Sequence, residues 1–452
     1  MSVSHLRNLI LPDVKDLIDN GDWHPLVSLV SLLHPSDSAE LLGELGTSPL
    51  VELIRRLPYP VNVEFFSKLE EFDQIELLEQ VGRTAVIQLV ENMPPDDRSA
   101  LLRQLPPATV DAILPYIAQV ERNDIRRLLD YEDDTAGAIM TTEYATVSPD
   151  MTVGEALQKL RQVAPERETI YIVYVVGEFN RLKGVVSLRD LVTARPDLHI
   201  SEIMVENVIS TSVHTDQEEV AEAVKKYDFL AMPVLDDQGR LVGIVTHDDI
   251  VDILEEEYTE DVHRLGAVEP LDMPYFSTGL WGLVRRRGLW LAVLFLGEMF
   301  TGTALRFYEG SLEKAIILMA FVPLIISSGG NSGAQSVALI TRALGVGEIS
   351  LKDWVRVFWR ESAMGISLGL LLGTMGFFRA LMWNFTYMQA ACVSIALIGV
   401  VTIGTLLGSM LPLFFERIGL DPAVTSSPFV ASIVDVMGIV LYFSVAKLLL
   451  GI

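Results

Sequence analysis

The chain has 452 residues, a formal net charge of −26 at pH 7 and a single cysteine. One cysteine excludes an internal disulfide and a thiolate metal cluster, and the strong negative charge makes nucleic acid an unsuitable partner. The charge is concentrated in one half: residues 1–270 contain 22 Lys and Arg against 50 Asp and Glu, whereas residues 271–452 contain 12 against 10. The N-terminal residues lack the apolar core of a signal peptide, so we expect the acidic half to remain in the cytosol.

Residues 1–130 predict an acidic, all-helical domain. Short segments with helical periodicity are separated by Leu-Pro or Met-Pro pairs, and proline ends a helix because it lacks the backbone N–H. These pairs fall at residues 57–58, 93–94 and 105–106. We expect the short helices to stack into a superhelix. Asp96 and Asp97 lie at the predicted start of one helix, where helix capping and cation binding are both open.

An internal repeat follows, with copies at 137–200 and 201–258. Each copy contains a helical stretch and two apolar strands, which predicts an α+β fold. This tandem resembles a pair of CBS domains. In nucleotide-binding members of that family, a hydroxyl residue and an Asp three positions later follow the last strand. Matching pairs here are Ser187 with Asp190 and Thr246 with Asp249. ATP as a regulatory ligand therefore stays open, since many CBS pairs bind no nucleotide.

Residues 249–270 predict an amphipathic connecting helix. Its apolar positions recur at helical spacing. They are Ile250, Leu254, Tyr258, Val262 and Leu265. The opposite face is rich in Asp and Glu, and like charges four positions apart destabilise a helix by a few tenths of a kcal/mol per pair. Few basic residues lie near in the sequence, which favours a divalent cation as the partner. An exposed acidic linker helix is the alternative.

Residues 280–452 predict a transmembrane domain of five helices. Five apolar stretches are each long enough to cross about 30 Å of hydrocarbon. They cover 288–306, 315–342, 361–383, 387–415 and 424–450. Lys and Arg are concentrated before the first stretch, around the second connection and after the fourth stretch, which places all three regions on the cytosolic side. We therefore predict a multi-pass protein of the cell membrane with cytosolic N-terminal domains and the C-terminus outside.

The second stretch contains a polar, glycine-rich segment, residues 327–336. Unpaired backbone is costly in lipid, so this segment must face protein or a water-filled path. Asn331 and Gln335 are four residues apart and share one helix face, which predicts that they line an ion path. Helix packing alone is the alternative, because small residues let helices approach closely.

Two carboxylates fall inside predicted spans. Asp435 lies within the fifth stretch, where an ionised carboxylate costs about 2.5–3.5 kcal/mol, and we predict that it binds the transported ion. Glu298 lies in the first stretch, and for it an ion-transport role and a structural role with Arg306 are equally open. Asp421 precedes the fifth stretch and is expected near the cytosolic mouth of the path.

The candidate ligands are all oxygen atoms, which suits a hard cation better than a soft metal. Magnesium sheds its water reluctantly and is usually bound through one or two carboxylates. One aspartate per chain is a sparse site, so we expect a homodimer in which two aspartates flank one ion.

Taken together, the order of domains resembles the MgtE family of magnesium transporters. Its most specific pieces are the segments 329–336, 419–423 and 432–438. The resemblance implies a channel-like homodimer for Mg²⁺ influx, with a pore lined by the second and fifth spans and Asp435 as the central ligand. It also implies that cytosolic Mg²⁺ binds acidic residues and closes the pore. The matching positions are Asp97, Asp228, Asp249, Asp252, Glu257, Glu260 and Asp261.

Two alternatives stay open. One is a broader divalent cation transporter for cobalt or manganese, and the other is a membrane-anchored CBS nucleotide sensor. An enzyme is not expected, because no catalytic spacing stands out among seven histidines.

Overall fold

The structure of the chain is a computed structural model that describes residues 3–271, 273, 275–308 and 316–451. The chain divides into two compact units, Met1–Glu255 and Glu256–Ile452. Residue 315, the predicted start of the second apolar stretch, lies outside the described residues, as do residues 1 and 2 of the predicted N-terminal domain.

The N-terminal part of the first unit is helical, as predicted. Its α-helices are Val3–Asp19, His24–Leu32, Pro35–Leu42, Thr47–Arg56, Val61–Ser67, Glu71–Val81, Arg83–Asn92, Pro95–Gln104, Pro107–Ile113 and Gln119–Leu129. Prolines open several of them, since the first helical position needs no backbone N–H partner. Buried side chains such as Phe65, Phe66 and Leu89 join successive helices into one apolar core.

Two small sheets with the same topology follow. Each has a parallel pair of strands and an antiparallel pair, in the orders β1-β2-β3 and β4-β5-β6. The strands are β1 (Tyr144–Val147), β2 (Thr169–Val176), β3 (Leu182–Ser187), β4 (Thr211–Ser212), β5 (Ala231–Leu235) and β6 (Leu241–Thr246). The accompanying helices are Ala136–Ile139, Val153–Val163, Leu188–Thr193, Ile200–Ile203 and Gln217–Tyr227. This repeat confirms the predicted tandem α+β fold.

The connecting helix is His247–Leu265. Its first two turns bury Ile250 and Ile253 in the core of the second repeat. The apolar face predicted further along is not buried in the same way, because Tyr258 is 65% exposed and Val262 49% exposed. The amphipathic pattern predicted a helix over 249–270, whereas the helix ends at Leu265, and the pattern did not predict how far along it the buried face extends.

The described part of the second unit contains five long helices, numbered here in chain order. They are the first (Leu280–Phe307), second (Val322–Gly345), third (Trp354–Met382), fourth (Tyr387–Arg417) and fifth (Ser427–Leu450) long helices. Four of them, all except the second, are long and apolar enough to cross a membrane. The second carries the polar segment that lowers its hydropathy. The apolar C-terminal helices are thus confirmed, and the number of five spans stays a prediction.

Close helix packing in this unit depends on glycine. A Cβ atom on Gly329 would lie 2.5 Å from Val400 Cγ1 and 2.6 Å from Val434 Cγ1, well inside van der Waals contact. A Cβ on Gly333 would lie 3.2 Å from the carbonyl oxygen of Gly404. The second helix can therefore approach the fourth and fifth only because these positions have no side chain.

Candidate ion-binding sites

Asp435 lies in the third turn of the fifth long helix and is half-buried. It faces the second long helix at a glycine: its Oδ1 atom would be 3.7 Å from a Cβ placed on Gly330. Because Gly330 has no side chain, the second helix approaches the carboxylate closely here, and the methyl group of Ala431 would lie 3.4 Å from the same Cβ position. The polar segment of the second helix and the predicted ion ligand are therefore neighbours.

Glu298, on the first long helix, makes a polar contact with Asp435. The two carboxyl groups are within hydrogen-bonding range of each other. Gly297 also packs on the fifth helix, since a Cβ there would lie 3.6 Å from Ser432 Cβ. No ion pair joins Glu298 to Arg306 among the described residues, and the structural and ion-transport roles of Glu298 both stay predictions.

The polar segment of the second helix has two different faces. Its glycines and Ser332 are buried, and Ser332 Oγ lies 2.7 Å from Thr405 Oγ1 on the fourth helix. Asn331 and Gln335 are exposed, and the Asn331 amide donates to Ser327 Oγ at 3.3 Å. One side of this segment thus packs against other helices, and the other side is a polar surface. Asn331 and Gln335, on the polar side, stay candidates for lining an ion path.

A buried acid that the sequence reasoning missed lies in the third long helix. Glu361 is 9% exposed, and its Oε2 accepts a hydrogen bond of 3.1 Å from Ser336 Oγ. Ser336 belongs to the polar segment, so Glu361 holds that segment from the side of the third helix. The sequence hides this acid, because Arg356 and Arg360 just before it are typical of a connection between spans.

Acidic residues also meet where the connecting helix ends. Arg264 forms ion pairs with Glu260 on its own helix and with Asp421, which precedes the fifth long helix. Asp421 Oδ1 also accepts from the Ala423 N–H at 2.7 Å. The expectation that this acidic face has few basic neighbours is therefore wrong for Glu260, because Arg264 neutralises it. Partial burial and the nearby Asp421 raise the pKa of Asp261.

In the first unit, carboxylates from three elements form an acidic cluster, which we define as Asp96, Asp97, Glu168 and Asp249. Asp96 and Asp97 begin the helix Pro95–Gln104, Glu168 immediately precedes β2, and Asp249 lies in the first turn of the connecting helix. Sequence reasoning identified Asp97 and Asp249 as ligands and left Asp96 open. It missed Glu168, since nothing in the sequence places this residue beside the others.

Burial and mutual repulsion raise the pKa values of this cluster. The pKa of Asp97 rises to about 6, mainly through burial, with Lys68 opposing and Asp249 adding to the rise. The pKa of Glu168 rises to about 7 through partial burial and the charges of Asp249 and Asp248. Burial also raises the pKa of Asp249 and, more strongly, that of Asp96. Lys68 offsets only part of the repulsion at Asp97, so a bound cation would relieve the remainder.

The remaining predicted metal ligands are dispersed. Asp252 lies at the surface, where the neighbouring protein removes part of its hydration and raises its pKa, while Lys68 opposes the rise. Glu257 is half-buried on the connecting helix. Asp228 is exposed and caps the helix Gln217–Tyr227 in the left-handed conformation. Over the described ranges, no three His, Cys, Asp or Glu side chains are already arranged to hold one metal ion.

The predicted nucleotide residues make local contacts. Ser187 Oγ donates to Asp190 Oδ2 at 2.5 Å, and Thr246 Oγ1 lies 2.6 Å from Asp249 Oδ2. Both pairs lie where a strand ends and a helix begins, so the spacing is also explained by helix capping. Because Asp249 belongs to the acidic cluster, a ligand at Thr246 would affect that cluster directly.

The matches to known proteins cover the same segments of the chain as the domains described above. Family models match the described segments as a divalent cation transporter over residues 322–445, the MgtE intracellular N domain over 33–134, and the CBS domain over 136–197 and 200–256. A magnesium transporter MgtE from Thermus thermophilus is 42% identical over 440 residues, which is 97% of this chain and 98% of the relative. The chain belongs to the MgtE family of magnesium transporters. The predicted resemblance is thereby confirmed.

Other MgtE proteins support this membership. The magnesium transporter MgtE of Enterococcus faecalis is 37% identical, covering 73% of this chain and 72% of the relative. A solved structure described as the cytosolic domain of the Mg²⁺ channel MgtE in complex with ATP is 38% identical, with a TM-score of 0.51, and covers 53% of this chain and 98% of that one. The soluble part of a magnesium transporter is 34% identical with a TM-score of 0.51, covering 57% and 99%.

Proposed function

We propose that this chain carries Mg²⁺ across a lipid bilayer along a path formed by the second and fifth long helices, with Asp435 as the central ligand. The observation that supports this role is the half-buried Asp435 carboxylate beside Gly330. A carboxylate within a membrane helix is costly unless it faces water, protein or an ion. Mg²⁺ is usually bound through one or two carboxylates and keeps several waters, which suits one aspartate per chain.

A homodimer completes this path. In the single chain, Asn331 and Gln335 are exposed although they lie in a membrane helix, and amides exposed to lipid are unfavourable. A second copy facing the first would enclose these amides and bring a second Asp435 to the ion. The Lys and Arg distribution places the N-terminal domains in the cytosol and the C-terminus outside.

Cytosolic Mg²⁺ closes the path in this proposal. A ligand shifts a protein towards the conformation that it binds more tightly. An ion bound between clustered carboxylates therefore stabilises the compact form. The acidic cluster of the first unit supplies Asp97 and Asp249 for this purpose, and the end of the connecting helix supplies Glu260 and Asp261. Without the ion, repulsion among these groups favours opening. Asp228, Asp252 and Glu257 complete the regulatory set.

ATP is a second regulatory ligand in this proposal. A related cytosolic domain has been solved with ATP, and the hydroxyl-Asp pairs of this chain are at the ends of β3 and β6. A nucleotide using Thr246 would contact a residue bonded to Asp249, which couples it to the acidic cluster. ATP is therefore expected to shift the Mg²⁺ concentration at which transport stops.

Flux into liposomes containing the full-length protein tests the ion path. We expect Asp435→Asn to abolish Mg²⁺ uptake, while Glu348→Gln, which removes an exposed acid from a connection, leaves uptake unchanged. Raising Mg²⁺ on the cytosolic side should stop uptake by the parent protein. Unchanged uptake in Asp435→Asn would exclude Asp435 as the ligand, and uptake insensitive to cytosolic Mg²⁺ would exclude the sensor.

The same liposomes separate the alternatives. Uptake of cobalt or manganese at rates equal to that of Mg²⁺ would indicate a broader divalent cation transporter. Absence of any ion flux, combined with ATP binding to the CBS pair, would indicate a membrane-anchored nucleotide sensor.

A further inference from the structure

We propose that Glu298 supplies a second carboxylate to the ion path and sets its affinity for hydrated Mg²⁺. This inference rests on the proposed role of Asp435, because Glu298 is placed in the path by its contact with that residue. It assigns a transport function to the first long helix, which lies outside the pair of helices proposed to form the path.

The contact between the two acids is the first step. Glu298 and Asp435 belong to different helices, yet their carboxyl groups are within hydrogen-bonding range. Two ionised carboxylates at that distance repel each other, and the repulsion is stronger in a membrane than in water. Such a pair is stable only with a shared proton or with a cation. A hydrated divalent cation satisfies both groups.

The absence of a protein counter-ion is the second step. Arg306, two turns along the same helix, is exposed and makes no ion pair with Glu298 in the described part of the chain. Glu298 is exposed on the single chain, and a carboxylate facing lipid without a partner costs about 2.5–3.5 kcal/mol or more. The positive charge that offsets this cost is therefore expected to come from an ion that moves through the path.

A buried hydroxyl beside Glu298 is the third, independent observation. Thr301 is the residue of the first long helix that is buried, at 9% exposed, and its Oγ1 has no hydrogen-bond partner among the described residues. Residues three positions apart are neighbours on a helix surface, so the buried Thr301 adjoins the exposed Glu298. A buried hydroxyl without a partner is uncommon, and water from an ion's hydration shell would satisfy it.

The packing of the first helix fixes this arrangement. Among the described elements it packs chiefly on the fifth long helix, and Gly297 allows a close approach at Ser432, one turn before Asp435. Glu298 is thereby held next to Asp435 by backbone packing rather than by a flexible loop. A second carboxylate doubles the negative charge that the ion meets at this level of the path.

Mg²⁺ uptake by liposomes containing the full-length protein tests the proposal in Glu298→Gln, Glu298→Asp and the control Glu348→Gln. Cobalt(III) hexammine, a non-exchanging mimic of hydrated Mg²⁺, serves as a blocker. Glu298→Gln should raise both the half-saturating Mg²⁺ concentration and the half-blocking hexammine concentration by about tenfold, equivalent to about 1.4 kcal/mol. Glu298→Asp should restore most of both values, and Glu348→Gln should match the parent.

The outcomes are distinguishable from failure of the proposed function. If Asp435→Asn abolishes uptake while Glu298→Gln leaves both concentrations unchanged, Asp435 keeps its role and the inference about Glu298 is overturned. A lower maximal rate with both concentrations unchanged indicates a structural role and also overturns it. If Asp435→Asn transports normally, the proposed path fails and Glu298 loses its role with it. Melting temperatures of the purified variants verify that each is folded.

Discussion

Glycines and carboxylates have different structural roles in the second unit. Gly329 lies in the middle of three helices, and its missing side chain lets Val400 and Val434 approach the second helix. At Gly302, on the first long helix, no neighbouring atom of the described residues lies within 4 Å of the position a Cβ would take. The same residue type is therefore required at one position and free to change at the other.

Replacing these glycines by alanine gives a matched pair. We expect Gly329→Ala to destabilise the protein by about 1–3 kcal/mol, because overpacking forces the helices apart. Gly302→Ala should be neutral or slightly stabilising, since alanine favours a helix over glycine by about 1 kcal/mol. Thermal unfolding of the detergent-solubilised protein measures both. Equal melting temperatures for the two variants would contradict the close approach.

Glu361 is a second residue whose environment defines its role. Glu361→Ala should leave the Ser336 hydroxyl without its acceptor at a cost of about 1–3 kcal/mol, in addition to any cavity. If the hydrogen bond is the main interaction, the double variant Glu361→Ala with Ser336→Ala should be less destabilised than the sum of the single variants. Thermal unfolding of all four proteins completes the cycle, and strict additivity would refute the coupling.

The sequence was sufficient to predict Asp435 as a candidate ligand, a role that stays a prediction, and it did not indicate that Glu361 is buried. Asp435 is isolated in a long apolar run, so its cost in a membrane is visible without a structure. Glu361 was placed at the boundary of the predicted stretch 361–383, whereas the third long helix begins at Trp354. Arg356 and Arg360 in the first turns made that part of the helix resemble a loop. Burial depends on neighbouring helices, which a single sequence does not specify.

At the scale of elements, the two ends of the connecting helix His247–Leu265 have different neighbours. Its first turns pack in the core of the second CBS domain, and its last turn carries Arg264 between Glu260 and Asp421. Helical spacing predicted the element itself. It did not predict Arg264 as a partner, because Asp421 is distant in sequence and meets the helix only in the folded chain.

Arg264→Gln should therefore loosen the end of this helix in the absence of Mg²⁺. Without the guanidinium, Glu260, Asp261 and Asp421 repel each other, and Mg²⁺ should replace the lost positive charge. Hydrogen exchange of the full-length protein over residues 256–265 should rise about tenfold without Mg²⁺ and return towards the parent value with it, which corresponds to about 1.4 kcal/mol.

Arg264→Lys and Lys352→Gln are the controls for that measurement. The first keeps the charge, and the second removes an exposed cation from another connection. Exchange that rises equally in Arg264→Gln with and without Mg²⁺ would show that the ion does not substitute for the guanidinium.

At the scale of the whole molecule, the order of domains and the division of charge could be predicted from the sequence. Composition separates an acidic half from an apolar half, and the repeat is visible because its two copies share strand and turn patterns. The acidic cluster of Asp96, Asp97, Glu168 and Asp249 could be predicted only in part. It joins a helical domain to both CBS copies, and such a contact depends on domain packing rather than on any local pattern.

This acidic cluster predicts a specific pH dependence of the first unit. The pKa of Asp97 is raised to about 6 and that of Glu168 to about 7 in the folded state, so the folded state binds protons more tightly than the unfolded chain. The stabilisation is present below about pH 4 and is lost as pH rises through 6 to 7. For Asp97 it corresponds to at most about 3 kcal/mol, and Glu168 contributes less because its side chain is more open to solvent, which screens its charge.

Without divalent cations, the first unfolding transition of the full-length protein should therefore occur at a lower temperature at pH 8 than at pH 5. Mg²⁺ binds ionised carboxylates, so it should raise that temperature strongly at pH 8 and weakly at pH 5. The double variant Asp97→Asn with Glu168→Gln should lose most of both effects, whereas Glu222→Gln, an exposed helical acid, should retain them. Calorimetry at the two pH values, with Mg²⁺ or a chelator, measures this. A Mg²⁺ effect of equal size at pH 5 and pH 8 would show that the ion binds elsewhere, because only ionisable ligands link cation binding to proton release.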